Sequence, residues 1–282
     1  MARVFVRLHN DGAVFDTGVA CVIFHWNRQI PGCDVTVSAA EKASSPHQQL
    51  EMRFASNGRD ETRTIELSNL VIAGWTGRDI KAVQHHIDEL VELGVRAPKS
   101  IPTYYRASVE LLTTKRSVQT LGNKSSGEVE PLLISINNEL WVGIGSDHTD
   151  REVEAYSVEV SKQMCLKPVA RDLWRFADVE AHWDKLVLRS RIRNGGNEWT
   201  LYQEGLLSQI RPPSDLIKNY PGAQGGKLPN GTAMFCGTFS AKGGIRSASE
   251  FSFEIEDPVL GRKITHAYAI DTLQRSDEPD AD

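Results

Sequence analysis

The stretch Gly127-Glu128-Val129-Glu130-Pro131-Leu132-Leu133-Ile134 places two carboxylates at the start of an apolar run. Side chains of an extended strand alternate between its two faces, so Glu128 and Glu130 are predicted to share one face while Val129 points into the opposite layer. Adjacent carboxylates repel each other, and solvation, protonation of one group or a bound cation relieves the repulsion. The pattern is therefore compatible with a metal site and also with a solvated, half-exposed strand.

A second acidic segment, Gly145-Ser146-Asp147-His148-Thr149-Asp150-Arg151, follows the next apolar run. If the two runs form neighbouring strands, Asp147 adds a third carboxylate and completes an oxygen-rich site for a hard divalent cation. His148 and Asp150 are alternative ligands, although strand alternation places His148 on the opposite face from Asp147.

The composition is that of a globular protein with a sizeable core. The 282 residues are 40% apolar and carry a net charge of −5, with Lys and Arg scattered along the chain. We therefore expect no nucleic-acid partner and no membrane partner. No signal sequence or bilayer-spanning run is evident, so the expected location is cytoplasmic. The four cysteines, at 21, 33, 165 and 236, lack Cys-x-x-Cys spacing, which argues against a zinc site and predicts free thiols.

Hydrophobic periodicity predicts a strand-rich first part of the chain. Alternating or continuous apolar patterns of strand length occur at residues 3–8, 18–26, 50–54 and 64–75. We predict an N-terminal segment over residues 1–70 that packs on a core domain over residues 71–275. A disordered acidic tail is expected over residues 276–282.

One long amphipathic helix is predicted over residues 78–93, where apolar residues recur at three- and four-residue steps and Gly94 follows as a C-cap. His86 and Glu89 are three residues apart on this helix, so the carboxylate can orient the imidazole as a general base requires. A solvated surface pair has the same spacing, and His85 is an alternative imidazole.

Several short motifs follow the helix in a distinctive order. They are Pro102-Thr103-Tyr104-Tyr105-Arg106, the Glu-Val-Glu strand, the Asp147 segment, Ser161-Lys162-Gln163, Leu201-Tyr202-Gln203-Glu204-Gly205, Leu228-Pro229-Asn230-Gly231-Thr232 and Cys236-Gly237-Thr238. Over about residues 71–270 this order resembles the fumarylacetoacetase (fumarylacetoacetate hydrolase) C-terminal-like superfamily, and within it a divergent bacterial branch labelled as a domain of unknown function. Members carry a His and a Glu three residues apart on a lid helix, a Glu-x-Glu strand, an Asp-x-Ser/Thr-x-Arg-Asp segment and an Ala-Lys-Ser element.

The resemblance implies a β-rich α+β fold, a mixed β-sandwich roll with few short helices, and a homodimer. It implies Mg²⁺ or Mn²⁺ as the cofactor. Carried over residue by residue, it assigns the metal to Glu128, Glu130 and Asp147, the catalytic pair to His86 and Glu89, basic positions near the metal to Arg151 and Lys162, and the substrate-carboxylate loop to Gly237 and Thr238. Tyr104, Tyr105 and Arg106 are candidates for shaping the substrate pocket, and Arg106 for binding the substrate, although aromatics beside Pro also pack cores.

The chain departs from the superfamily pattern at several positions. Pro131 replaces a residue that normally continues the strand, and the interval from Glu130 to Asp147 is short. Glu152 takes the place of the usual Asp, and Glu154 that of the usual Gln.

The resemblance implies a divalent-metal-dependent hydrolase that cleaves a carbon–carbon bond in a small 2-oxo or β-diketo acid such as an acylpyruvate. In this hypothesis His86, oriented by Glu89, activates water, and Lys162 helps to stabilise the enolate that forms. Alternatives are a hydratase, isomerase or decarboxylase acting on a related 2-oxo acid, or a non-catalytic binding or scaffold protein with the same fold.

Overall fold

The computed structural model describes residues 46–56, 59–92 and 97–276. The predicted strands at 3–8 and 18–26, Cys21 and Cys33, Gly94 and nearly all of the predicted tail lie outside these residues. The described residues belong to a compact unit that begins at Ser44. The predicted boundary at residue 70 stays a prediction.

Within the described ranges, strand is the commonest regular secondary structure. The strands are β1 (Gln48–Ser56), β2 (Arg59–Leu67), β3 (Asn69–Gly74), β4 (Thr103–Ala107), β5 (Leu112–Thr113), β6 (Ser117–Leu121), β7 (Ser125–Ser126), β8 (Val129–Ile136), β9 (Glu139–Ser146), β10 (Thr149–Asp150), β11 (Lys167–Pro168), β12 (Asp172–Arg175), β13 (Val187–Arg193), β14 (Thr200–Leu206), β15 (Thr232–Phe235), β16 (Glu250–Asp257) and β17 (Arg262–Leu273). The α-helices are α1 (Ile80–Glu92), α2 (Arg151–Tyr156), α3 (Val158–Met164), α4 (Phe176–Val179) and α5 (Pro213–Asn219), and short 3₁₀ helices span Val109–Leu111, Glu180–Lys185 and Leu207–Gln209.

The larger sheet has the strand order β2-β1-β12-β9-β8-β15-β3-β4 and mixes parallel with antiparallel pairs. In β1 the alternating side chains of Leu50, Met52 and Phe54 are buried, as the period-two pattern predicts. The predicted strand at 64–75 is two strands, because the chain turns at Ser68 between β2 and β3. The sheet is curled, since strands from both of its ends contribute side chains to one apolar cluster on its concave face.

The smaller sheet has the order β14-β13-β16-β17-β6 and packs against the convex face of the larger sheet. The strand β8 is therefore buried on both faces. Val129 and Leu133 pack between the two sheets, whereas Leu132 and Ile134 lie in the concave cluster. Glu130 has the same strand parity as Leu132, so the acidic start of β8 lies at one end of the concave face.

The helix predicted over residues 78–93 is confirmed as α1, and Asp79 caps it by accepting hydrogen bonds from the backbone N–H groups of Lys81 and Ala82. The predicted β-rich α+β fold with few short helices is also confirmed. Cys165 and Cys236 are buried free thiols, as expected. Among the described helices, none combines the length and apolar character that crossing a bilayer requires.

Glycines in β9 allow the layers beneath it to approach closely. A Cβ at Gly145 would lie 2.9 Å from the Pro168 carbonyl oxygen, whereas at Gly143 the close atom is a methyl carbon of Leu173, at 2.8 Å. A leucine side chain can rotate and a backbone carbonyl cannot.

We expect Gly145→Ala to lower the free energy of unfolding by about 1–3 kcal/mol, measured by urea denaturation. Gly143→Ala is the matched control, and an equal or larger loss in the control would contradict this explanation.

Candidate metal centre

The pairing of β8 with β9 brings the three predicted carboxylates together. Val129 lies opposite Ser146 and Glu130 opposite Gly145, and just beyond the strand ends the Asp147 N–H donates to the Glu128 carbonyl at 2.9 Å. As a result, carboxylate oxygens of Glu128, Glu130 and Asp147 lie within 4.8 Å of one another.

Glu130 is buried, at 3% exposed, beside two other carboxylates. Burial raises its pKa well above the usual range, and the charges of Asp147 and Glu128 add to this effect. The charge of Lys162 acts in the opposite direction and lowers the pKa, and so does the Gly237 N–H, which donates to Oε2 at 2.7 Å. Among the described residues, no Lys or Arg forms an ion pair with Glu130.

Asp147 is fully buried and lies between two ammonium groups. The Lys162 Nζ is 2.7 Å from Oδ2 and the Lys167 Nζ is 2.8 Å from Oδ1. Burial alone would raise the pKa of Asp147, but the two lysines outweigh it and lower the pKa to about 2. Each carboxylate oxygen has a second lone pair besides the one that faces a lysine. Asp147 is therefore ionised and has lone pairs available to a cation.

Lys162 lies on α3, and its ammonium group reaches two of the three carboxylates. Besides Asp147, its Nζ is 3.2 Å from Glu128 Oε2, 3.5 Å from Glu154 Oε1 and 3.1 Å from Thr149 Oγ1. Burial opposes the charged form, but the neighbouring carboxylates raise the pKa of Lys162 well above its usual value. The lysine is therefore a buried, permanent cation.

Arg151 is the first residue of α2, and its guanidinium contacts three side chains at the edge of the carboxylate cluster. Its Nη2 is 3.2 Å from Glu128 Oε1, its Nη1 donates to Glu154 Oε2 at 2.7 Å, and its Nε donates to Ser126 Oγ at 2.7 Å. Arg151 and Lys162 both lie beside the carboxylates, where the resemblance places them. Their roles toward a substrate stay predictions.

The two alternative ligands have other partners. Asp150 caps α2, because its Oδ1 accepts the Val153 N–H at 2.9 Å. His148 is fully buried, with Nδ1 2.7 Å from the Tyr268 hydroxyl and Nε2 2.9 Å from Ser125 Oγ. Burial, followed by the charges of Lys167 and Arg151, lowers the pKa of His148 to about 3, so the ring is neutral. Both ring nitrogens are occupied, which makes His148 a support for the site and not a ligand.

The predicted substrate loop, Gly237 and Thr238, packs directly on the cluster. Gly237 has φ of 101°, and a Cβ there would lie 1.7 Å from Thr76 Oγ1, so the position requires glycine. The Thr238 hydroxyl donates to the Val129 carbonyl at 2.7 Å and accepts a hydrogen bond from Gln203 at 2.8 Å. Both residues thus hold the start of β8 in place, and their contact with a substrate stays a prediction.

Arg106 does not lie with these residues. It is exposed, and its guanidinium donates to Asn69 Oδ1 at 2.7 Å. The preceding residue, Tyr105, lies on the other face of β4 and close to Lys162. Burial raises the pKa of Tyr105, and its hydroxyl is hydrogen-bonded to the Trp75 side chain. The pocket-shaping role proposed for this segment is therefore consistent with Tyr105 rather than with Arg106.

His86 and Glu89 are on α1, as predicted, but their side chains lie outside the described residues. The catalytic pair stays a prediction. The chain enters α1 through Trp75, whose φ of 58° is in the left-handed region that non-glycine residues rarely adopt. Such backbone strain is concentrated at functional sites.

Sequence reasoning missed two residues that support the centre. Lys167 is fully buried, and its Nζ also donates to the His148 carbonyl. A lysine inside the apolar stretch Cys165-Leu166-Lys167-Pro168-Val169-Ala170 was the available signal. The buried Gln203 amide accepts hydrogen bonds from Val129 N and Ser190 Oγ and donates to Thr238 Oγ1 and the Phe239 carbonyl, which fastens β8 to the loop. Gln203 lies within the motif Leu201-Tyr202-Gln203-Glu204-Gly205, but nothing in that motif indicates that the side chain supports β8.

Residues 73–268 match the family described as "Protein of unknown function (DUF2848)". The chain belongs to this family. No curated protein matches the sequence. Two solved structures are similar in fold, each at 16% sequence identity. One is "2-keto-3-deoxy-D-arabinonate dehydratase apo form", with a TM-score of 0.53 and coverage of 77% of each chain.

The second similar structure is "Crystal structure of Cg1458 with inhibitor", with a TM-score of 0.50 over 84% of this chain and 93% of that one. At this level of identity the two likenesses establish the fold alone. They confirm the fumarylacetoacetase-like architecture that the order of motifs predicts.

The residues present fit a hard divalent cation. Carboxylate oxygens are the ligands that Mg²⁺ and Mn²⁺ prefer, and the three groups converge from two paired strands. Among the described residues, Glu130 has no charged partner within hydrogen-bonding distance, whereas Asp147 is paired with two lysines. A cation between the three carboxylates would compensate the charge of Glu130.

The raised pKa of Glu130 makes the metal-free protein sensitive to pH. A buried carboxyl whose pKa is raised binds its proton more tightly in the folded state, so stability falls as pH rises above the ordinary glutamate pKa. With metal removed by EDTA, we expect Glu130→Gln to raise the free energy of unfolding by about 1–3 kcal/mol near pH 8 and by much less near pH 5. Gln keeps an oxygen for the Gly237 N–H.

Denaturant titrations at both pH values measure this difference. Glu139→Gln is the control, since Glu139 is exposed and pairs only loosely with Arg175, at 3.3 Å. If the free energy of unfolding of Glu130→Gln is not higher than that of the wild type near pH 8, the charged carboxyl does not destabilise the folded protein.

Proposed function

We propose that this protein is a divalent-metal-dependent enzyme that cleaves a carbon–carbon bond in a small 2-oxo or β-diketo acid. The observation that carries the proposal is the convergence of Glu128, Glu130 and Asp147 with the buried ammonium group of Lys162. Three carboxylates alone would suit a structural ion. A permanent cation beside them is suited to a reaction in which negative charge develops on a substrate oxygen.

The three carboxylates would hold Mg²⁺ or Mn²⁺. When bound, the ion would act as a Lewis acid toward the carboxylate and keto oxygens of a 2-oxo acid. The protein fixes the ligands before any substrate arrives. Gly237 N–H orients Glu130, Arg151 orients Glu128, and Lys167 orients Asp147.

Lys162 would stabilise the enolate left when the carbon–carbon bond breaks. Its Nζ carries three protons, and its contacts at 2.7–3.2 Å place it between Asp147 and Glu128. Because the side chain is only 7% exposed, water screens its charge weakly, and its electrostatic attraction for a developing oxyanion is strengthened.

His86, oriented by Glu89, would remove a proton from the attacking water. Both residues are on α1, which begins four residues after Thr76, the residue packed against Gly237. General base catalysis of this kind contributes about a hundred- to ten-thousandfold.

Dehydration of a 2-oxo acid is the second candidate. The relative with a TM-score of 0.53 is described as a 2-keto-3-deoxy-D-arabinonate dehydratase. Loss of water beside a carbonyl also passes through an enolate, so Lys162 and the metal ligands would have the same tasks in this reaction. The reactions differ in the bond that breaks.

The metal assignment is tested by thermal unfolding. We expect saturating Mg²⁺ or Mn²⁺ to raise the Tm of the wild type by several degrees, since a ligand that binds only the folded state stabilises it. Glu128→Gln removes one ligand charge and should abolish most of the shift, while Glu139→Gln should keep it. No shift in the wild type with either ion would refute the metal site.

The catalytic assignment is tested on a panel of acylpyruvates, oxaloacetate and hydroxylated 2-oxo acids. We expect His86→Ala to lower kcat by at least about a hundredfold and to leave the metal-induced Tm shift unchanged. Cleavage products identify hydrolysis, and a 2-oxo acid that loses water identifies dehydration. A His86→Ala protein with undiminished turnover would remove the pair from the mechanism, and no turnover of any substrate would favour a binding protein.

A further inference from the structure

We propose that Glu154 is a specificity-determining residue that makes the site select substrates with a single carboxylate. This inference rests on the proposed function, because it concerns the substrate that would bind beside the metal ligands. It goes further in assigning the charge of the substrate's distal end, which must be neutral.

Glu154 lies on α2 and contacts both cations at the rim of the cluster. Its Oε2 accepts from Arg151 Nη1 at 2.7 Å, and its Oε1 is 3.5 Å from Lys162 Nζ. The side chain is 26% exposed, compared with 15% for Arg151 and 7% for Lys162. Glu154 is therefore more accessible to solvent than either cation that it contacts.

The other donors of these cations also face groups of the protein. Arg151 Nη2 is 3.2 Å from Glu128 but makes no well-angled hydrogen bond within the described part of the chain, whereas Nε donates to Ser126. The Lys162 Nζ contacts Asp147, Glu128 and Thr149 in addition to Glu154. A second substrate carboxylate could therefore bind Arg151 Nη1 only by displacing Glu154.

The net charge of the site also disfavours a second substrate carboxylate. Four carboxylates, those of Glu128, Glu130, Asp147 and Glu154, face the three cations Arg151, Lys162 and Lys167. A divalent metal leaves one positive charge, which one substrate carboxylate neutralises. A second carboxylate would place an unpaired negative charge in a largely buried site, and such a charge is costly.

Arg106 does not supply a cation that could pair with a second substrate carboxylate. It lies on β4, where its guanidinium binds Asn69, and strand alternation points it away from the face of Tyr105. A neutral side chain at position 154 would leave Arg151 Nη1 without its carboxylate partner, so the Glu154 carboxylate is the group that occupies this donor.

The test compares two 2-oxo acids of equal chain length, 2-oxovalerate with one carboxylate and 2-oxoglutarate with two. Binding to the Mg²⁺-loaded full chain is measured by calorimetry, with oxalate as the reference ligand for the metal site. We expect the wild type to bind 2-oxovalerate at least about tenfold more tightly than 2-oxoglutarate. Glu154→Gln should reduce or reverse this ratio by about tenfold or more.

Glu152→Gln is the matched control, because Glu152 is on the same helix and pairs with Arg275 at 2.9 Å, away from the cluster. It should keep the wild-type ratio. If oxalate fails to bind the wild type, both the proposed metal site and the proposed substrate selectivity are refuted. If oxalate binds, a wild type that prefers 2-oxoglutarate, or a ratio unchanged in Glu154→Gln, overturns the role of Glu154 alone. If Glu154→Gln does not fold, a wild type that prefers 2-oxoglutarate still overturns the proposal.

Discussion

Negative charge gathered where β8 and β9 end is the constraint on which the rest of the site depends. Glu128 and Asp147 are locked together by a backbone hydrogen bond of 2.9 Å, and Glu130 follows from the pleat of the same strand. The carboxylates cannot move apart without breaking the central pair of the larger sheet. The surrounding residues therefore compensate the charge instead: two lysines on Asp147, a backbone N–H on Glu130 and an arginine on Glu128.

These supports come from distant parts of the chain. Lys162 and Arg151 arrive on short helices whose starts are fixed by the caps Ser157 and Asp150, and Gln203 reaches the start of β8 from the other sheet. The position of the cluster at the end of a curled sheet suits this arrangement, since the concave cluster excludes water on one side and the rim stays accessible.

Patterns with a short period could be predicted from the sequence. Alternation gave the common face of Glu128 and Glu130, helical spacing gave α1, and the order of motifs gave the fold. Long-range packing was not predictable in this way. Lys167 meets Asp147 only because the chain that follows β11 pairs with β9 at Gly145, and nothing in the sequence around Arg106 indicates which face of β4 lies toward the carboxylates. Periodicity specifies a face, whereas the partner on that face depends on the tertiary structure.

The raised pKa of Glu130 also links metal binding at this site to the release of a proton. In the metal-free state its raised pKa keeps a proton on the group at a pH where an ordinary glutamate has lost it. A cation and this proton would compete for the same oxygens, so binding of an ion would release the proton into solution. Metal uptake and acid release would then be a single event. The occupancy of the site would follow the pH of its surroundings as well as the supply of the ion.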